Sequence, residues 1–206
     1  MTTRIALDGV GGQGVRVIAG VLGALLARMG KQVTVLFDYD SSVRGSMSDA
    51  FVIFDDHPIA NPVVEEADIM LKLADKGHLR ISGRKVVTDL GLGRPGDEQI
   101  PFASLGSRHF GKELFGNMIA LGRLLRLAAI EFDETAIRDS LPHRYQDENI
   151  AAIRFGYALT AEEITRLAAA APPSRFEMND AAMAPDHRPT GVGGGALGIG
   201  EVAESG

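Results

Sequence analysis

Cysteine does not occur anywhere in the 206 residues. Its absence excludes a disulfide framework, a thiolate nucleophile, a zinc–thiolate site and cysteine-ligated iron–sulfur clusters in this chain. Any redox centre must therefore sit on another subunit. Basic residues are in the minority, with 21 Lys and Arg against 27 Asp and Glu and a net charge of −6. Nucleic acid is not an expected partner, because phosphate backbones are gripped by clustered Lys and Arg. Long hydrophobic runs are also missing. The longest, Val15 to Met29, contains Arg16 and Arg28 and is too short and too interrupted to cross a bilayer. Met1-Thr2-Thr3-Arg4 lacks the apolar region of a signal peptide, so the expected setting is cytoplasmic, with no membrane partner. The 45% hydrophobic content suffices for one buried core with an appendage.

Arg4-Ile5-Ala6-Leu7-Asp8 is a short strand that runs into glycines. Val15, Ile18, Ala19, Leu22, Leu25, Leu26 and Met29 then recur at helical spacing. Gly30 suits the position after the helix end, and Gln32 to Phe37 reads as a buried second strand, completing a βαβ unit by Asp38. Further strands are expected at Ala50 to Phe54, Ile69 to Leu73 and Lys85 to Asp89. The period then becomes helical. Leu114, Met118, Leu121, Leu125 and Ala128 mark one face, Asp133 is an N-cap, and a helix spans about Gln146 to Tyr157. Thr160 and Glu163 match a capping box. The expected fold is α/β, a Rossmann-like, mainly parallel sheet with flanking helices and a helical C-terminal half, over residues 1–171. Residues 172–206 are rich in Gly and Pro and bury too little to fold alone. They are expected to form an extended tail docked on a partner subunit.

Gly9-Val10-Gly11-Gly12-Gln13-Gly14 satisfies G-x-G-x-x-G after a strand and before a helix. Glycines let the backbone turn tightly and approach a phosphate, and the helix N-terminus adds free N–H groups and a positive dipole end. Gly11, Gly12, Gln13 and Gly14 are the first candidate ligand contacts. Asp38 lies 24 positions beyond Gly14, near where a dinucleotide fold keeps its ribose carboxylate. A second candidate region is the polar loop from Asp38 to Asp49, in which Arg44 is the only cation, beside Ser42 and Gly45. A guanidinium among hydroxyls clamps a phosphate or carboxylate well; its plainer role is to pair with Asp40 or Asp49. The five histidines, His57, His78, His109, His143 and His187, have no ligand spacing, and no serine lies in a nucleophile elbow. Asn117, at a helix start, and Asn149 are either contacts or caps.

Taken together, these motifs resemble the gamma subunit of 2-oxoacid:acceptor oxidoreductases of the ferredoxin type. The resemblance rests on Gly9-x-Gly11-Gly12-Gln13-Gly14 and on Arg44-Gly45-Ser46 before the strand Phe51-Val52-Ile53. It continues through Glu66 to Leu71, Val86 to Asp89, Ile100-Pro101, Asn117 to Gly122 and Glu148-Asn149 to Gly156-Tyr157. It spans about residues 3 to 160, with Ser46 replacing a second glycine. The resemblance implies a complex that oxidatively decarboxylates a 2-oxoacid to an acyl-coenzyme A. Thiamine diphosphate would sit on alpha and beta subunits and the clusters on a ferredoxin-like iron–sulfur subunit. A flavin-bearing subunit would be needed if electrons pass on to NAD. This chain would contribute coenzyme A handling, with the glycine loop at the pyrophosphate and Arg44 as a clamp. Two rivals stand beside it: a stand-alone NAD-binding protein or dehydrogenase, and a non-catalytic assembly module whose glycine loop is only structural.

Overall fold

The computed structural model describes residues 1–39, 48–74 and 81–171; the tail at 172–206 and the segment with Ser42, Arg44 and Gly45 lie outside the described residues. Six strands form one sheet: β1 (Thr3–Asp8), β2 (Gln32–Tyr39), β3 (Ser48–Asp55), β4 (Glu66–Lys72), β5 (Ser82–Asp89) and β6 (Glu98–Ile100). Helix α1 (Val15–Arg28) follows β1, and α2 (Phe102–Phe110), α3 (Gly116–Leu127), α4 (Glu134–Ser140), α5 (Gln146–Ala158) and α6 (Ala161–Ala170) make up the C-terminal half.

The strand order is β2-β3-β1-β4-β5-β6. Strands β1, β4, β5 and β6 pair in parallel, whereas β3 runs antiparallel to both β1 and β2. This corrects the expected βαβ unit, because β1 and β2 are not neighbours. The connection from β2 to β3 is too short for a crossover, so β3 must return antiparallel. Val52 and Ile53 are fully buried while Leu36 and Phe37 stay 40% and 44% exposed, which places β3 inside the sheet and β2 at its edge.

The main core lies between one sheet face, with Ile5, Leu7, Val52, Ile69, Leu71 and Val87, and helices α1 and α3. In α1 the predicted stripe Val15, Ile18, Ala19, Leu22, Leu25 and Leu26 is buried, but its last member, Met29, is the C-cap of the helix and is exposed. Asp133 caps α4 by accepting from the Ala136 N–H, and Thr160 and Glu163 complete the capping box of α6. Leu114 departs from its expected helix face. It lies on a 3₁₀ turn (Glu113–Phe115) before α3 and is 57% exposed. The 3₁₀ turn runs straight into α3 at Gly116, a glycine that lies so close to the Phe102 carbonyl that a Cβ would stand 2.5 Å from its oxygen.

Candidate functional site

The glycine loop joins β1 to α1 at the C-terminal end of the parallel strands, the edge where open α/β sheets bind ligands. Gly12 and Gly14 have φ of 94° and 76°, a left-handed backbone that favours glycine. Gln13 holds the loop in place. Its Oε1 accepts from the Val10 N–H at 2.9 Å, and its Nε2 donates to the Leu73 carbonyl at 2.6 Å. Its own N–H donates to the Val10 carbonyl at 3.1 Å. Gly9 is required beneath this side chain, since a Cβ there would stand 2.6 Å from Val15 Cγ2 and 3.0 Å from Gln13 Oε1. Gln13 therefore shapes the loop, and its amide is engaged within the protein.

Two helix N-termini meet beside the loop. Helix α1 starts from Gly14 and α3 from Phe115, neither with a side-chain cap nor with an acidic residue in its first turn. Unpaired first-turn N–H groups and the dipole make a helix end attractive to anions; at α3 the first of these, the Gly116 N–H, is already taken by carbonyls of the preceding 3₁₀ turn. Asn117, in the first turn of α3, bridges them: its side chain packs directly on Gly14, where any Cβ would collide with its amide. Asn117 does not cap its helix, so the plainer of its two expected roles is ruled out.

Two cavities flank Asn117. One, of about 230 Å³, is lined by Gly12, Gln13, Leu73, Phe102 and Gly116, with Asp89 and Glu113 as its acidic residues. Asp89 Oδ1 accepts from the N–H groups of Leu90 at 2.9 Å and Phe102 at 3.2 Å, which fixes the start of α2. The second, of about 320 Å³, is lined by Gly14, Val17, Met118, Lys112, Arg144, Tyr145 and Asn149. Leu114 and Asn117 line both. Asn149 donates to the Arg144 carbonyl at 3.3 Å and so supports the turn before α5.

Of the residues proposed from the sequence, Gly12, Gln13, Gly14 and Asn117 come together here, and Gly11 is exposed at the loop crest. Asp38 does not join them. It is exposed on edge strand β2, with β3 between it and β1, about 10 Å of sheet away by the usual strand spacing. The ribose carboxylate expected of an NAD site is therefore displaced. Sequence reading missed Lys112, Arg144 and Tyr145, which are remote in the chain and follow no motif. Among the described residues, no group of three or more His, Asp or Glu side chains could hold a metal ion, and no helix is long and apolar enough to cross a membrane.

These elements define a Rossmann-like α/β domain that turns a glycine loop and the starts of two helices toward two cavities that share Leu114 and Asn117. Residues 4–159 match the pyruvate ferredoxin/flavodoxin oxidoreductase family, and the chain belongs to it. The gamma-subunit resemblance carried by its motifs holds. The chain is 30% identical over 167 residues to the 2-oxoglutarate synthase subunit KorC of Archaeoglobus fulgidus, covering 75% of this chain and 86% of that protein. It is 29% identical over 180 residues to the subunit of the same name from Methanocaldococcus jannaschii, covering 79% and 96%. The gamma subunit of a keto/oxoacid ferredoxin oxidoreductase from Geobacter sulfurreducens PCA shares the fold, with a TM-score of 0.59 at 20% identity over 81% of this chain and 98% of that one. A 2-oxoglutarate:ferredoxin oxidoreductase from Magnetococcus marinus, solved with 2-oxoglutarate, coenzyme A and succinyl-CoA, matches with a TM-score of 0.57 at 17% identity. That match covers 84% of this chain but 32% of the longer one.

Proposed function

We propose that this chain binds and orients coenzyme A within a multisubunit 2-oxoacid:ferredoxin oxidoreductase that forms an acyl-coenzyme A. The observation that carries this reading is the convergence of the α1 and α3 N-termini on two adjoining cavities, bridged by Asn117 and set in shape by Gln13. Free N–H groups of the loop and first helical turns would take the pyrophosphate, and the thiol end would be presented to the reacting acyl group, a contribution of proximity and orientation. In this reading thiamine diphosphate and the iron–sulfur clusters belong to the alpha, beta and ferredoxin-like subunits and supply decarboxylation and electron transfer. Arg44, with Ser42 and Gly45, remains the proposed second clamp. The names of the curated relatives favour 2-oxoglutarate as the oxoacid.

The test is steady-state kinetics of the assembled complex with Asn117→Ala and Arg44→Ala. The expected result is a KM for coenzyme A raised about tenfold for Asn117→Ala, the effect of one lost hydrogen bond to a charged group, with the KM for the oxoacid unchanged. Unchanged coenzyme A kinetics in both variants would overturn the reading. One observation favours an assembly module instead, namely that the Gln13 amide is engaged inside the protein through both its oxygen and its nitrogen. That alternative predicts that loop substitutions alter subunit association and leave coenzyme A kinetics alone.

A further inference from the structure

Two cations converge on one phenol in the second cavity. Lys112 Nζ lies 2.9 Å and Arg144 Nη2 3.1 Å from the Tyr145 hydroxyl. The ammonium also stands 4.1 Å, and the guanidinium carbon 4.8 Å, from the centre of the ring. Among the described residues neither cation forms an ion pair with a carboxylate. Two like charges sharing one neutral oxygen repel each other, and an anion between them would turn that repulsion into attraction. The same hydrogen bonds, that from Lys112 first, hold the Tyr145 phenol below its ordinary range. Tyr145 itself has φ 56°, a left-handed backbone that a bulky residue adopts only when its surroundings impose it.

Apart from Asn117 and Asn149 the rest of the wall is apolar, formed chiefly by Val17, Leu114, Met118, Leu141 and Pro142. Such a wall gives nothing to a small inorganic anion and suits a flat, weakly polar body such as a purine. Gly14 lines this cavity, its neighbours Gly12 and Gln13 line the other, and Asn117 lines both. One elongated ligand can therefore touch both. We propose that Lys112 and Arg144 bind a phosphate monoester on the nucleotide end of such a ligand, with the Val17–Met118–Leu141–Pro142 wall against its base. Resting on the coenzyme A reading, that group is the 3′-phosphate of the adenosine. The bidentate guanidinium and the ammonium point charge are complementary means of holding it.

The experiment is calorimetric titration of the assembled complex with coenzyme A and with 3′-dephospho-coenzyme A, for the wild type and for the double variant Lys112→Gln/Arg144→Gln. The wild type is expected to prefer coenzyme A by at least about tenfold, as charge-assisted hydrogen bonds allow. In the double variant the preference falls to about onefold, with affinity for the dephospho compound unchanged, which also shows that the variant is folded. An undiminished preference in the double variant, with both compounds still bound, overturns the subsite and leaves the coenzyme A reading standing. No binding of either compound to the wild type overturns both.

Discussion

The side-chain amide of Gln13 donates to the main-chain carbonyl of Leu73 across 2.6 Å, tying the loop after β1 to the end of β4. The same side chain accepts from the Val10 N–H, so one residue satisfies two main-chain groups that the glycine-rich turn would otherwise leave unmatched. Gln13→Leu keeps the bulk and removes both bonds. The expected loss is about 1 to 3 kcal/mol of stability, read as a lowered midpoint in urea with an unchanged slope. A midpoint equal to the wild type would show that the tie does not hold the loop.

Helices α3 and α5 approach most closely where two glycines face main chain. A Cβ on Gly122 would overlap the Ile153 carbonyl oxygen, and one on Gly156 would overlap that of Ile119. Carbonyls cannot rotate aside as side chains can. Gly122→Ala and Gly156→Ala are each expected to cost about 3 kcal/mol, and the double variant less than the sum, since one separation of the helices relieves both clashes. Thermal melts of the four proteins in the cycle check this; full additivity would refute the shared contact.

Arg123 is 8% exposed and joins three elements. Its Nε and Nη2 donate to the two Glu98 oxygens at 2.6 and 2.5 Å, and Nη1 donates to the Leu159 carbonyl at 2.8 Å. Arg123→Met retains the aliphatic stem and strands the Glu98 carboxylate. A fully buried pair broken in this way loses 3 to 5 kcal/mol; because Glu98 remains partly solvated, about 2 kcal/mol is expected here. Adding Glu98→Gln should recover part of it in denaturation experiments. No recovery would mean that the charge was already well hydrated.

Asp55 accepts from the Thr2 hydroxyl at 2.6 Å and from the His57 N–H at 3.1 Å. These bonds, with the His57 ring and the N-terminal ammonium, hold its carboxyl well below the usual range. A carboxyl depressed in the folded state stabilises fully above its unfolded pKa of about 4 and loses that contribution as the pH falls below it. Asp55→Asn should therefore be less stable than the wild type at pH 7, and the gap should narrow progressively as the pH falls below about 5. A gap independent of pH would assign the effect to lost hydrogen bonds alone.

Much of the local structure was legible in the chain. The α1 stripe, the Asp133 cap, the Thr160–Glu163 box and the glycine loop are short-range patterns, set by helical periodicity and by hydrogen bonds spanning three residues. The position of β3 was not, because a strand's neighbours depend on burial summed over the whole sheet. That single insertion moved Asp38 away from the loop and removed the carboxylate half of the pattern for a nicotinamide site. Leu114 was misread as well: its spacing fits the α3 face, but it lies on the tighter 3₁₀ turn before that helix, whose three-residue repeat turns it outward.

The sequence by itself determined that no cysteine is available here to ligate a metal, that a glycine-rich loop follows the first strand, and that the chain carries the motifs of its family. Those properties belong to residue types and to contacts between near neighbours. Only the tertiary structure decided that Gln13 is engaged in holding the loop and that Asn117 lies against Gly14. It alone brought Lys112, Arg144 and Tyr145 to the same groove. These residues are separated by up to 132 positions, and their meeting depends on the long-range packing of α3 and α5 against the sheet, which no local pattern encodes.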